Sequence, residues 1–517
     1  MASEQAFQPD LHLHPLSWVF VLTNSVRQFL FPIVAFVFVG ARNDGELWGL
    51  LVLIPLVLAA LWRQWIYRYG FGPSGLVIQD GLLFRNVRLI EYPRIENVDV
   101  ERGPLHRLFG VAQVSIATST GGKAEASIRV LSLDAVRELR ERIFERRDRH
   151  ERTTTATAAP ETEAVLLHVP PAELVRYGLI DNRGLIVVAA FFGFLMQNDS
   201  LIGLMIRSAG NWLSDSPWMV VAALGWAMQA ALAFAVLIAV ILLLRLFSIG
   251  IALVTLYDFT LTQREGDFRV RHGLLTRVTL TLRVRRIQAV HQTASLLHRV
   301  FGRVSLRVDL AGDSAGTHED PHRSTPKARW LAPICTPAQA RELIAQALPD
   351  ADLSEEPDWQ PLARGARARM FRRSVYLCTL LGTLAVVALL LIPQAPFQMG
   401  LELIALLAIL VLALSWVRAH VYVRNTRWAL TKDAVYFRHG WLTRRLVIAP
   451  RNRLQSVTLA QSPFDLRSAM ASVALDTAGG TGMRYSIRIP MLGVRVAQEL
   501  ANALYRSPVN DPNRRVG

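Results

Sequence analysis

Long apolar runs in this chain alternate with stretches in which apolar and polar positions exchange every residue or two. The runs come in three pairs, Trp18–Gly40 with Leu47–Tyr67, Leu185–Ile206 with Met219–Phe247, and Val375–Ile392 with Leu401–Val423. A bilayer core about 30 Å thick is crossed by about 20 apolar helical residues, so six transmembrane helices in three hairpins are expected. Thr23, Asn24, Ser25 and Arg27 interrupt the first run and Gln197, Asn198 and Asp199 the third, which suits short, tilted or partly interfacial helices. Positive charge sorts with this topology. The hairpin connections hold Arg42 and Arg207, whereas Arg63, Arg68, Arg176, Arg245, Arg367, Arg373, Arg418 and Arg424 flank the opposite ends. Cytoplasmic segments carry the Lys/Arg excess, which predicts an inner-membrane protein with both termini and all inter-hairpin regions in the cytoplasm. No basic segment, apolar core and small-residue cleavage site precede the first run, so it reads as a retained helix.

Between and after the hairpins a pattern recurs three times. Gly81-Leu82-Leu83 leads to Arg94-Ile95-Glu96-Asn97-Val98, Gly273-Leu274-Leu275 to Arg286-Ile287-Gln288-Ala289-Val290, and Gly440-Trp441-Leu442 to Arg453-Leu454-Gln455-Ser456-Val457, with the same Gly-to-Arg spacing. The register continues through Leu105-His106-Arg107-Leu108-Phe109-Gly110 and Leu297-His298-Arg299-Val300-Phe301-Gly302. Copy three departs, with Phe464-Asp465-Leu466-Arg467-Ser468-Ala469 and an alanine where the others place glycine. A turn that needs positive φ is disfavoured there. Recurrence at a fixed period marks a repeat architecture.

Inside each copy the alternation has the two-residue period of half-buried strands, clearest in Thr279-Leu280-Thr281-Leu282-Arg283-Val284-Arg285. Hairpin tips are expected at Thr120–Lys123, Gly312–Gly316 and Gly479–Gly482. Each copy then closes with a helix, near Leu133–Arg147, Thr336–Ala347 and Val494–Tyr505, whose Leu139/Ile143, Leu343/Ala347 and Leu500/Leu504 pairs form an apolar stripe. The fold class is therefore membrane α-helical hairpins plus small α+β/β domains. The expected order is hairpin 16–68, β domain 69–149, linker 150–176, hairpin 177–250, β domain 251–350, linker 351–373, hairpin 374–423 and β domain 424–507.

A hairpin followed by a small β domain carrying Gly-(Leu/Trp)-Leu, Arg-(Ile/Leu)-x-x-Val and, twice, Leu-His-Arg-x-Phe-Gly resembles the bacterial pleckstrin-homology-like membrane proteins of the YdbS/YdbT type. Three copies match the longer, YdbT-like members, and the resemblance runs from about residue 15 to 506. It implies that each β unit is a split barrel, two nearly orthogonal sheets plugged by the C-terminal helix. It also implies binding or scaffolding at the cytoplasmic membrane, sometimes with a shorter single-copy relative, linked to envelope stress or peptide resistance. No catalytic residues come with it.

Composition agrees with a membrane protein: 52% of residues are hydrophobic, only 19% are charged, and mean hydropathy is +0.28. Soluble chains carry about 25% charge. The formal net charge of +16 suits anionic lipid head groups. Only three of the 57 basic residues are lysine, so an arginine by itself is a weak functional marker here. Nucleic acid is not expected, since no recognised binding motif accompanies the charge. The aligned Arg94, Arg286 and Arg453, and the cluster Arg283, Arg285 and Arg286, are the candidate anion or partner surface, because guanidinium presents a bidentate fork to phosphate. The competing reading is structural ion pairs and solvated charge. His318-Glu319-Asp320-Pro321-His322 has metal-ligand residue types without metal-site spacing, and Cys335 and Cys378 offer neither a disulfide framework nor a thiol site. No metal, cofactor or enzymatic activity is expected. The function expected is a non-catalytic membrane scaffold that binds lipid head groups or a membrane partner. The alternative is a transporter or channel with regulatory β domains, disfavoured because Arg27, Asp199, Arg207 and Glu402 form no evident coupled set.

Overall fold

The structure is a computed structural model. It describes residues 11–12, 68–72, 75–80, 86–92, 95–118, 124–139, 164–181, 226–264, 266–311, 329–353, 355–390, 397–477 and 487–505. Residues 13–67 and 182–225, which hold the first three expected spans, lie outside the described residues, as do the hairpin tips and the 318–322 loop. Two compact units divide the chain, Met1–Thr281 and Leu282–Gly517, and the division falls inside the second repeat.

Unit 1 begins with a four-stranded antiparallel sheet of β1 (Leu11–His12), β2 (Arg68–Phe71), β3 (Gly75–Asp80) and β4 (Asn86–Glu91). Its apolar face, with Tyr69, Leu76, Ile78 and Ile90, shares one core with Ala112, Val114, Ile116 and Leu131 of the next sheet. Val136 and Leu139, from the helical residues 133–139, close that core. The next sheet has seven strands, in the order β7-β6-β5-β11-β10-β9-β8. β5 (Ile95–Arg102), β6 (Val111–Thr118) and β7 (Ala124–Ser132) belong to repeat one; β9 (Thr260–Arg264), β10 (Asp267–His272) and β11 (Arg277–Leu282) belong to repeat two. β8 (Ala164–His168) lies within the stretch expected to be a linker. A short helix, α1 (Pro104–Leu108), joins β5 to β6, and α2 (Pro171–Ile180) packs on α3 (Trp226–Leu256). The α2/α3 pair is latched by Arg245, which donates to Leu179 O at 3.0 Å, and by Ser248, which donates to Asp181 O at 2.8 Å.

Unit 2 repeats the scheme. Its seven-stranded sheet runs β14-β13-β12-β18-β17-β16-β15. β12 (Ile287–Ala294), β13 (Val304–Leu310) and β14 (Trp330–Cys335) come from repeat two; β16 (Arg427–Leu430), β17 (Ala434–His439) and β18 (Arg444–Pro450) come from repeat three. β15 (Gln360–Pro361) again occupies an expected linker. A three-stranded sheet of β19 (Leu454–Ala460), β20 (Met470–Thr477) and β21 (Ile487–Gly493) ends the fold. The closing helices fall where the apolar stripes place them: α5 (Pro337–Ala347), capped by Thr336 and Gln339, buries Leu343 and Ala347, and α9 (Val494–Tyr505) buries Leu500 and Leu504. Repeat three has its own core, in which Phe437 and Val447 meet Val473, Ile489 and Leu500.

Each interior repeat boundary is bridged by a continuous sheet, because the first strand after the motif arginine lies beside the last strand before the arginine of the next repeat. Backbone N–H and C=O groups left at a sheet edge are satisfied this way.

Among the described residues three helices are long and apolar enough to cross a membrane, over Ala230–Leu256, Ala366–Leu390 and Gly400–Asn425. The last two belong to α6 (Ala366–Leu390) and α7 (Phe397–Asn425), which pack together as a hairpin. The strands that flank each expected hairpin segment are paired: β1 with β2, β8 with β9, β15 with β16. The chain therefore leaves and rejoins each sheet at adjacent strands.

Candidate membrane face and repeat junctions

In repeats two and three the turn that opens the motif forms because glycine tolerates positive φ: Gly273 has φ 110° and Gly440 φ 119°, and an added side chain would overlap the carbonyl of Thr276 or Thr443. In repeat two this turn is tied to the end of an apolar helix. The amides of Gly273 and Leu274 donate to Tyr257 O at 2.8 Å and Val254 O at 3.0 Å, satisfying carbonyls that the last turn of α3 leaves open. Leu274 and Leu275 are 42% and 52% exposed beside that helix end. Arg107 of repeat one donates to Leu274 O at 2.9 Å, which brings α1, with exposed Leu105 and Leu108, to the same place.

The equivalent junction in unit 2 uses the equivalent arginine. Arg299, on α4 (Leu296–Val300), donates to Leu442 O at 3.1 Å in the turn of repeat three, and Leu296, Val300 and Leu442 are exposed around it. Repeat three lacks the arginine, having Leu466 at that alignment position. Its short helix α8 (Pro463–Leu466) turns toward the membrane hairpin instead: buried Asp465 pairs with Arg369 of α6 at 2.5 Å, Arg372 donates to Ser468 Oγ at 2.8 Å, and the Phe464 ring lies 6.1 Å from that of Tyr376. The corner survives the loss of glycine, since Ala469 holds φ 49° where Gly110 and Gly302 have 65° and 60°. That non-glycine strain costs about 1–3 kcal/mol.

The cap of this corner changes while its logic holds. Ser295 and His298 form a capping box in repeat two, and Ser462 and Asp465 form one at the aligned positions in repeat three. Ser305 donates to Pro333 O at 2.6 Å, so the His298 Nε2–H donates to Ser305 Oγ at 2.8 Å. The Ser–His contact thus links β13, β14 and α4 inside the core.

The arginines singled out by sequence part company. Thr279–Arg285 is not one strand: β11 stops at Leu282, and Val284–Arg286 is a 3-10 turn, so Arg283 and Arg285 do not share a strand face. Arg285 is exposed and Arg283 half-buried. Arg286 donates to Ala311 O at 2.5 Å. Arg453, its side chain 8% exposed, donates to the carbonyls of Val284 and Ile287 and pairs with Asp350, so it fastens repeat three to repeat two. Arg94 lies outside the described residues. Among the described residues no group of three or more His, Cys, Asp or Glu is arranged to hold a metal.

Among the titratable groups that burial displaces, His439 and Cys335 move furthest. Desolvation first, then Arg445 and His291, lower His439 to about 4, and burial pushes the Cys335 thiol up to about 12. His439 and His291 belong to repeats three and two, on strands that flank β18.

Sequence reading missed the apolar tips. The signal was present: two adjacent apolar residues follow glycine in a turn, three times, where polar residues are the norm.

Comparison with known families agrees with this repeat. The family model described as Bacterial PH domain matches residues 28–147, 218–339 and 380–507, which is more than half of the chain. The chain belongs to the bacterial PH domain family. It is 21% identical over 495 residues to the UPF0699 transmembrane protein YdbT of Bacillus subtilis (strain 168), a match covering 91% of this chain and 93% of that protein. No solved structure matches. Each match spans apolar sequence as well as one repeat, so an apolar segment and a PH-like domain recur together.

Proposed function

We propose that this protein is a non-catalytic inner-membrane scaffold whose three PH-like domains lie on the cytoplasmic surface and bind anionic lipid head groups. One observation carries the reading: the exposed Leu274–Leu275 turn is hydrogen-bonded to the end of an apolar helix of membrane-spanning length. A bilayer around that helix places the turn at the head-group level, where apolar side chains find cover that water does not give. Charge supports it. Arg364, Arg367 and Arg373 are exposed at the start of α6, with Arg418 and Arg424 near the end of α7, on the side where the flanking strands β15 and β16 pair. Each such arginine is worth about 1 kcal/mol at an anionic surface. Six crossings in three hairpins fit the paired strands at each segment's two ends, since an even number of crossings returns the chain to the side it left. A single-copy relative docked on the same face is the protein-partner form of this reading.

The test uses the full chain in lipid nanodiscs, with a fluorophore at Leu275→Cys and nitroxide lipids labelled at the head group. Strong quenching is expected, together with anionic lipid that survives purification and is lost in the Arg367→Gln/Arg373→Gln variant. A fluorophore in free water, or retained lipid of bulk composition, would remove the reading. Stoichiometric retention of another membrane protein in its place would favour the partner form.

A further inference from the structure

We propose that copies of this chain pair head to tail, β4 of one copy adding to β19 of the next, in the register that already joins its own repeats. This goes beyond the lipid reading and does not depend on it. The two interior junctions obey one rule. The residue six after the turn glycine faces the residue six after the motif arginine, as Thr279 faces Val100 in unit 1 and Leu446 faces Gln292 in unit 2. Two positions further along the strand, Ile448 faces Val290. The rule holds although the sequences of the paired strands differ, so the register is a property of the repeat.

Two counterpart strands take part in neither interior junction. β4 is the first repeat's counterpart of β11 and β18, and β19 is the third repeat's counterpart of β5 and β12; among the described residues each lies at a sheet edge. Burial shows what an interior junction supplies. Ala289 on β12 is buried in the core of the next repeat, whereas the aligned Ser456 on β19 is exposed. β4 exposes Val87 by 61% and Leu89 by 55%, and β19 exposes Leu459 by 40%.

Applying the junction register to these strands places Leu459 opposite Val87 and Val457 opposite Leu89. The uncovered Val87 and Leu459 therefore become cross-strand neighbours, and uncovered Leu89 falls opposite half-buried Val457, the pairing that stabilises antiparallel sheets. An edge strand with unpaired backbone groups and exposed apolar residues is a template for another strand. The occupant is a second copy of this chain because each end displays what the other lacks, and it displays it at the repeat's own register. Such a contact is heterologous, so it builds a ring or an open row of copies in the plane of the membrane.

The experiment co-expresses two full-length copies with different tags in a Cys378→Ala background, one carrying Val87→Cys and the other Leu459→Cys, and oxidises native membranes. Cys335 is buried and does not compete. A disulfide-linked product with both tags is expected, at about fivefold or greater yield over a control pairing Arg88→Cys with Leu459→Cys, since the adjacent position points to the other face. Equal yield in the control, an adduct with a different protein, or no two-tag product would overturn the proposal. So would closure of a single chain that carries both cysteines. Independently, the unmodified protein in native nanodiscs should exceed the mass of one chain and Leu459→Lys should reduce it while melting as the parent does; a monomeric parent would also overturn it.

Discussion

β12 and β19 occupy the same place in successive repeats, yet among the described residues one lies inside a seven-stranded sheet and the other at the edge of a three-stranded one. The corner helices beside them differ in the same sense. α4 offers Arg299 forward to the turn of the next repeat, whereas α8 sends Asp465 back to Arg369 on the membrane hairpin. One backbone scaffold thus serves as a joint in the interior of the array and as an anchor at its end. The substitutions that switch these roles sit at the aligned positions Arg299/Leu466 and His298/Asp465.

The anchor should be the most sensitive part. Asp465→Ala leaves the Arg369 charge with only the Ser462 hydroxyl and removes half of the capping box of α8, and is expected to cost about 3 kcal/mol by denaturation in mild detergent. The Arg369→Ala/Asp465→Ala double variant should lose clearly less than the sum of the singles, because the two residues share one interaction. Additive losses would show that the pair does not hold the corner.

The joint should respond to pH. His439 titrates near 4 in the folded protein against about 6.5 in the unfolded chain, so the unfolded state binds more protons between those values. Stability is then complete above pH 6.5 and falls as pH drops toward 4, by about 2 kcal/mol between pH 7 and pH 5. Urea midpoints at the two pH values measure this, and His439→Phe should remove most of the difference. An unchanged difference in that variant would assign the pH response elsewhere.

The smallest effect distinguishes joint from end most directly. Arg299→Ala removes one hydrogen bond to a carbonyl and should cost about 1 kcal/mol. The converse change, Leu466→Arg, restores the clasp residue to a repeat with no turn to grasp within its own sheet, and should change stability by less than about 0.5 kcal/mol. A large gain from Leu466→Arg in the isolated chain would mean that the end is already covered.

The sequence alone determined the repeat, the three long apolar helices over 230–256, 366–390 and 400–425, the strands that alternate through Leu280 and Leu282, and the closing helices that bury Leu343 and Leu500. These follow from local periodicity: side chains on a strand or helix repeat every 2.0 or 3.6 residues, and burial of one face leaves its mark in the residue types. Only the tertiary structure decided that β5 joins β11 and β12 joins β18, that β8 and β15 rise out of apparent linkers, and that Arg453 belongs to a joint. Strand partners are chosen through backbone N–H and C=O groups, which nearly every residue carries, so the choice leaves little trace in residue identity. An arginine's role is set by the carbonyls that the fold brings to it, here from residues more than a hundred positions away.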